Sequence, residues 1–279
     1  MANEIIKGAL YVVATPIGNL SDITERAKYV LENVDFVCAE DTRVSGKLLN
    51  VLEIKNSFVS YHEHNKNEAG KLVLQKLQSG LSGAIVTDAG VPAISDPGED
   101  LVKLCKDEGI KVIPIPGACA FVTGLCASGF KSRRFTFEGF LPTDKKERQE
   151  VLDDHKNDTK TVIFYEAPHR LVKTLELLKE EWGNRSICLA RELTKLNEEI
   201  VVTSFEDAIE TYSQKEPKGE FVIIVEGAKK DEGTKFFDDM TIQEHVGFYE
   251  NQGLKKMEAI KACAKDRGLS KNEVYKYFI

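Results

Sequence analysis

GAIVTDAGVPAISDPG, running from Gly83 to Gly98, is the stretch on which the fold turns. A strand-like apolar run, Ala84 to Val86, feeds a loop punctuated by Asp88, Gly90, Pro92, Asp96 and Pro97, and Gly98 then opens a helical segment. Glycine lets a backbone approach a ligand closely and proline fixes φ. In open α/β sheets, a loop at the carboxyl end of a parallel strand is where small molecules bind. The stretch therefore reads as a ligand loop, with Asp96-Pro97 as the lead into the next helix.

The same plan recurs upstream. Leu10 to Ala14 reads as a buried strand running into the turn-rich Thr15 to Asn19, and the spacing of Ile23, Ala27, Val30, Leu31 and Val34 predicts a helix with Ser21 or Asp22 as its N-cap. Asp35 to Ala39 is a second strand and leads into Glu40-Asp41-Thr42-Arg43 and a helix to about Glu53. Phe58 to Tyr61 is a third, ending in His62-Glu63-His64-Asn65, with a helix from about Glu68 to Leu77 behind it. Beyond Gly98 come a helix closed by Gly109 and a strand from Lys111 to Ile115. Strands alternating with helices of this length imply βαβ units and a parallel sheet.

Pro114, Pro116 and Gly117 mark a boundary, so a first α/β domain is expected over 1–116 and a second over 117–228, entered through a helix of small residues from about Ala118 to Ala127. Strands are predicted at Phe135 to Phe140, Thr161 to Tyr165, Ser186 to Ala190, Ile200 to Thr203 and Phe221 to Val225. Two of them follow one another without a long helix, which predicts a mixed sheet. After a polar, linker-like stretch from Lys229 to Asp239, residues 240–279 carry helical patterning only. They read as a helix-turn-helix-like module or as a helical cap on the core or a partner subunit.

Composition narrows the function classes. The chain has 279 residues, 42% of them hydrophobic and 30% charged, and no apolar run of membrane-spanning length, so a globular cytoplasmic protein is expected. The six cysteines stand at wide spacings without a CxxC, which suggests neither a zinc site nor a disulfide framework. A net charge of −7 argues against indiscriminate binding to phosphate backbones, so a nucleic-acid partner has to be met by a local patch. No GxGxxG follows the first strand and there is no GxxxxGK[ST]. The proline- and glycine-bearing loops at Thr15 to Asn19, Asp88 to Gly98 and Pro116 to Ala118 instead converge at one sheet edge, forming a pocket suited to a small zwitterionic or nucleoside ligand.

Several polar clusters compete for a chemical role. His62 and His64 share one face of an extended segment, but no third ligand stands nearby and a metal is not expected. Arg43, Arg170 and Arg191 suit phosphate or carboxylate clamps. His62, His64, Glu166, His169 and Lys195 are all candidates for a general base.

Eight ordered segments complete the sequence reading: LYVVATPIGNLSD (Leu10 to Asp22), AEDTR (Ala39 to Arg43), TDAGVPAISDPG (Thr87 to Gly98), PGACA (Pro116 to Ala120), EGFLP (Glu138 to Pro142), FYEAPHRL (Phe164 to Leu171), RELTK (Arg191 to Lys195) and KGEFVIIVEG (Lys218 to Gly227). In this order they resemble a bacterial family of the tetrapyrrole methylase superfamily that methylates the ribose 2′-oxygen of a cytidine in the decoding region of small-subunit (16S) ribosomal RNA. The resemblance implies two α/β domains with S-adenosylmethionine in the cleft between them, a homodimer, and a substrate met within the small ribosomal subunit. It also implies cofactor contacts at Pro16, Ile17, Gly18, Asp88, Ala89, Gly90, Val91, Cys119, Ala120, Tyr165, Glu166, Thr194, Glu220 and Phe221. Cys119 departs from the serine often found at its position. His62, Glu166 and Lys195 are then the expected catalytic groups, and Arg43, His64, His169, Arg170 and Arg191 the expected substrate contacts. The alternatives are a methylase of a tetrapyrrole small molecule and a non-catalytic ribosome-binding module.

Overall fold

In the computed structural model, which describes residues 4–229 and 236–278, five short strands build a first sheet. They are β1 (Leu10–Val13), β2 (Phe36–Ala39), β3 (Phe58–Ser60), β4 (Gly83–Val86) and β5 (Val112–Ile115), paired in parallel in the order β3-β2-β4-β1-β5. β1, β2 and β4 are buried along their whole length, which is why they read as unbroken apolar runs. Ala27, Val30 and Leu31 of α1 (Glu25–Asn33) and Leu49 of α2 (Thr42–Val51) pack on one face. Val73 and Leu77 of α3 (Lys66–Gln78) and Leu101 and Cys105 of α4 (Gly98–Asp107) cover the other.

Adjacent strands β1 and β4 thus lead into helices on opposite faces, and the chain diverges between them. Such a switch point leaves a crevice at the carboxyl ends of the strands. Its floor is tied by a main-chain pair: the Thr15 N–H donates to the Gly90 carbonyl at 2.8 Å and the Gly90 N–H to the Thr15 carbonyl at 3.1 Å.

The second sheet joins β6 (Phe135–Phe140), β7 (Thr161–Glu166), β8 (Ser186–Arg191), β9 (Glu199–Ser204) and β10 (Phe221–Val225) in the order β6-β7-β10-β8-β9. Only β6 and β7 run parallel, so the sheet is mixed, and the last strand made occupies its centre. Leucines of α6 (Lys145–His155) and α7 (Leu171–Trp182), with Phe205 and Ala208 of α8 (Phe205–Gln214), fill one side. On the other lies α5 (Ala120–Ser128), whose Leu125 clusters with Ala190, Leu193, Val222 and Ile17. Ile17 comes from the loop after β1, so this apolar seam holds the two sheets together within one compact unit that extends through Ala228.

A second unit begins at Lys229 and contains α9 (Ile242–Asn251), α10 (Lys256–Arg267), α11 (Lys271–Tyr275) and a 3-10 turn, Lys276–Phe278. Val246, Ala259, Ile260, Cys263 and Val274 form its core. The fully buried His245 stacks on Phe237 at 4.4 Å and accepts from Arg267 Nε at 3.0 Å. Burial, reinforced by the Arg267 charge, depresses its pKa and keeps the ring neutral.

Three expectations shift on local grounds. Ser21 and Asp22 sit in a 3-10 turn capped by Asn19, and α1 starts later, with the Thr24 side chain accepting from the Ala27 N–H at 3.1 Å. The helical patterning from Lys271 runs on to Phe278, but the final helix stops at Tyr275 and tightens to 3-10 geometry. The linker-like stretch falls largely on 230–235, outside the described residues. All six cysteines are free thiols, and none of the described helices is long and apolar enough to cross a membrane.

Candidate active site

The loops after β1, β2, β4 and β5 and the strand ends of the second sheet enclose a cavity of about 580 Å³, within the range of small-molecule sites. Its first wall is the opening stretch. Thr87, Asp88, Ala89, Gly90 and Val91 line it, followed by Ile94, Ser95 and Asp96. Gly90 sits at φ +88°, a conformation that glycine takes at little cost. Ala93 and Ser95 adopt left-handed φ of +66° and +60° without that freedom. The Asp96 carboxylate stabilises the strained turn, since its Oδ1 accepts from the Ala93 N–H at 2.9 Å and from the Gly98 N–H at 2.7 Å. Asp96 is thus the lead into α4, as its sequence position suggests. It also faces the cavity, and its buried Oδ2 has no hydrogen-bond partner.

The opposite wall is Cys119 and Ala120 at the start of α5, Tyr165 to Pro168 at the end of β7, Ala190 and Leu193 around β8, and Glu220, Phe221 and Val222 at the start of β10. An aromatic row runs into it: Phe121 stacks on Phe137 at 4.2 Å, Phe137 meets the Tyr165 ring edge-on at 4.9 Å, and Phe140 meets it at 5.7 Å. The Tyr165 hydroxyl accepts from the Phe121 N–H at 3.4 Å, and its pKa is pushed up to about 12, chiefly by burial. Phe140 is 51% exposed and Ile94 43% exposed, so both present apolar surface at the cavity.

Carboxylates dominate the charge on the β2 and β4 side. Glu40 lines the cavity from the end of β2 and, among the described residues, has no hydrogen bond or ion pair. Partial burial raises its pKa first, and the Asp88 and Asp96 charges raise it further, against an opposing pull from His62. Asp88 is also raised by partial burial, and Asp96 by burial against the hydrogen bonds it accepts. The three together form an electronegative pole facing the largely apolar opposite wall.

Of the expected cofactor contacts, Ile17, Asp88, Ala89, Gly90, Val91, Cys119, Ala120, Tyr165, Glu166, Glu220 and Phe221 line the cavity. Pro16, Gly18 and Thr194 do not. Gly18 is pressed on the Leu193 to Lys195 turn, where an added Cβ would lie 2.4 Å from Lys195 Cγ and 2.9 Å from Thr194 Oγ1. That close approach, rather than a ligand, requires the glycine and closes the loop after β1 onto the second sheet.

The expected catalytic groups are placed differently from their sequence reading. The Glu166 side chain is fully buried: it accepts from Thr174 Oγ1 at 2.5 Å and from the Ala167 N–H at 2.8 Å, and Arg170 Nε stands 3.4 Å away. Both oxygens are taken, so Glu166 shows the cavity its main chain and anchors the start of α7. Lys195 lies outside the cavity lining and pairs with Glu192 at 2.8 Å and Glu220 at 3.3 Å. Burial pulls its pKa down, but the two carboxylates outweigh that and the net shift is upward, the reverse of what a lysine base needs. His62 is outside the lining too. Its Nδ1 is buried without a partner, and its ring meets His64 edge-on at 6.0 Å.

The expected substrate contacts are also partly committed. Arg43 doubles onto Asp41 at 2.7 and 3.0 Å, with 87% of its side chain exposed. Arg170 donates to the Leu141 carbonyl at 2.8 Å and so holds the EGFLP turn against β7. Arg191 pairs with Glu199 at 3.1 Å, while His64 and His169 are exposed. No group of three or more metal-ligating side chains gathers among the described residues. The lining also takes in residues outside the expected set, the polar or aromatic Glu40, Thr87, Ser95, Asp96 and Phe140 and the apolar Ile94, Ala167, Pro168, Ala190, Leu193 and Val222; a polar residue directly after a strand was the signal for Glu40, and an aromatic residue at a strand's end the signal for Phe140.

A crevice at a parallel-sheet switch point, closed here by a second mixed sheet, is where an α/β enzyme binds a small molecule. The chain belongs to the Tetrapyrrole (Corrin/Porphyrin) Methylases family, whose profile matches residues 9–209. Within it the chain is 47% identical over 274 residues to Ribosomal RNA small subunit methyltransferase I of Halalkalibacterium halodurans, covering 98% of this chain and 95% of the relative. It is 46% identical to the protein of the same name from Bacillus subtilis strain 168, covering 96% and 93%. Among solved structures, uroporphyrin-III C-methyltransferase from Thermus thermophilus aligns with a TM-score of 0.57 at 16% identity, covering 78% of this chain and 97% of that one. Cobalt precorrin-4 methyltransferase aligns with a TM-score of 0.57 at 19% identity, covering 78% and 95%. At that identity the structural likeness is one of fold.

Proposed function

We propose that this protein transfers a methyl group from S-adenosylmethionine to the ribose 2′-oxygen of a cytidine in the decoding region of 16S ribosomal RNA, acting on the small subunit as a cytoplasmic homodimer. The observation that carries the reading is the cavity at the β1/β4 switch point, in a chain that is 47% identical to a small-subunit RNA methyltransferase over nearly its full length. The tetrapyrrole alternative rests on fold neighbours at 16–19% identity. For the dimer, exposed Val201 and Val202 on β9 and the fully exposed Leu196 supply apolar surface for a second copy to cover.

The residues present fit the cofactor. Backbone groups of Ala89 to Val91 and the apolar Ile17, Ala190, Leu193 and Val222 suit a nucleoside, and the carboxylates of Asp88 and Asp96 suit its hydroxyls and cationic groups. When bound, S-adenosylmethionine supplies an electrophilic methyl group on a sulfonium. The chain's own contribution is alignment and removal of a proton. The cavity walls hold the acceptor hydroxyl in line and exclude water, the main source of acceleration in a displacement of this kind. We assign the proton to Glu40, the cavity carboxylate that has no other partner among the described residues and whose raised pKa lets it accept a proton nearer neutrality. Phe140 is placed to stack on an unpaired base.

The decisive measurement is mass-spectrometric mapping of ribose methylation in small-subunit RNA from cells with and without the protein. Loss of one 2′-O-methylcytidine is expected, and identical maps would refute the reading. Phe140→Ala should raise the KM for RNA by about tenfold with S-adenosylmethionine affinity preserved, since stacking of a base on an aromatic ring contributes roughly 1–3 kcal/mol. An unchanged KM would remove Phe140 from the substrate path.

A further inference from the structure

The C-terminal unit carries a charge asymmetry that its composition conceals. Residues 241–279 hold seven Lys or Arg and five Asp or Glu, a slight excess. Four of the five carboxylates, however, are engaged by groups of the same unit. Glu244 accepts from the Thr241 N–H at 2.7 Å, Glu273 from the Ser270 N–H at 2.7 Å and Glu258 from the Lys255 N–H at 3.4 Å, each bent back over a helix N-terminus. Asp266 accepts from the Tyr249 hydroxyl. Three of the five lie where the positive end of a helix dipole offsets their charge, and Glu250 stands exposed near the end of α9. Arg267, for its part, is spent on the Phe237 carbonyl and His245.

The six lysines behave differently. Lys255, Lys256, Lys261, Lys265, Lys271 and Lys276 are all exposed, and none pairs with a carboxylate among the described residues. Lys261 and Lys265 stand four residues apart on α10, about 6 Å along one helix face. Tyr275 and Tyr277, 43% and 55% exposed, sit beside Lys276.

We propose that the lysine-bearing face of α10 and α11 docks the sugar-phosphate backbone of RNA, with Tyr275 and Tyr277 as platforms for unpaired bases. The inference rests on the ribosomal RNA function proposed for the cavity and adds the surface that such a substrate needs. A chain of net charge −7 repels a phosphate backbone unless it presents a local positive face. Of the apolar residues of α10, Ala259, Ile260, Cys263 and Ala264 are buried in the unit's core and Met257 is 43% exposed, so no continuous apolar stripe remains on this helix for a membrane or a protein groove. A two-fold contact through this face would set lysines against lysines.

The test uses the full-length chain with Lys261, Lys265, Lys271 and Lys276 each changed to Glu, and a second variant, Tyr275→Ala with Tyr277→Ala. Binding to transcribed 16S ribosomal RNA is followed by fluorescence anisotropy between about 50 and 200 mM salt, alongside S-adenosylmethionine calorimetry and sedimentation. The lysine variant should bind RNA at least about tenfold more weakly and flatten the plot of log affinity against log salt by roughly 0.7–0.9 for each phosphate that is no longer neutralised. The tyrosine variant should weaken binding with the slope kept. S-adenosylmethionine affinity and mass should be unchanged in both. If the lysine variant keeps its RNA affinity and slope while the parent protein still methylates, the inference fails and the functional reading stands. A change of sedimentation mass instead of RNA affinity identifies the face as a subunit contact and also overturns it. A parent protein that neither binds nor methylates small-subunit RNA refutes the functional reading itself.

Discussion

Glu40→Gln is expected to lower kcat for methyl transfer by about a hundredfold or more, the usual worth of a positioned general base, while S-adenosylmethionine affinity stays within a few-fold of the parent. The substitution keeps the shape of the side chain and removes its capacity to take a proton. The pH profile supplies the sharper readout. A base works only when ionised, so activity falls as pH drops through its pKa. Partial burial and the neighbouring Asp88 and Asp96 raise the pKa of Glu40, which places the acid limb of kcat above the ordinary glutamate value of about 4.3. In Glu40→Gln that limb should vanish from the residual rate. If kcat is unaffected and only cofactor affinity drops, Glu40 is an electrostatic partner of the cofactor and not the base.

The second large effect concerns folding. Gly83 pairs with both Leu10 and Phe36 in the centre of the first sheet, and a Cβ there would lie 2.4 Å from Cζ of the buried Phe36 ring. Gly83→Val should therefore destabilise the protein by roughly 3 kcal/mol, the upper end for overpacking a core, as read from urea denaturation. β4 feeds the Thr87 to Gly98 wall of the cavity, so cofactor affinity should fall with it. Phe36→Ala in the same chain vacates the space, and the double variant should be more stable than the two single effects predict. Strict additivity would show that the ring is not the obstacle.

What the sequence makes legible follows from how local each determinant is. β1, β2 and β4 are readable because strands buried on both faces leave continuous apolar runs, and the loops after them because glycine and proline restrict backbone conformation locally. The position of β10 between β7 and β8 leaves no such trace, since partner choice in a sheet depends on contacts distant in the chain. The same limit explains the catalytic candidates. Glu166 looks free beside His169 and Arg170, yet its main partner is Thr174, eight residues on and one turn into α7. Half of the fate of Lys195 is visible at Glu192, three residues before it; the other half, Glu220, arrives only when β10 pairs with β8. Glu40 stands out by having no partner among the described residues, and the absence of a contact is the property that a sequence expresses least.

The central place of β10 bears on how the enzyme comes into being. β6 with β7 and β8 with β9 are two separate half-sheets until Phe221–Val225 slides between them, and that strand also delivers Glu220, Phe221 and Val222 to the cavity. During synthesis the second wall therefore lacks Glu220, Phe221 and Val222 until nearly four-fifths of the chain has left the ribosome, and a nascent chain that has reached only β9 is expected to be inert.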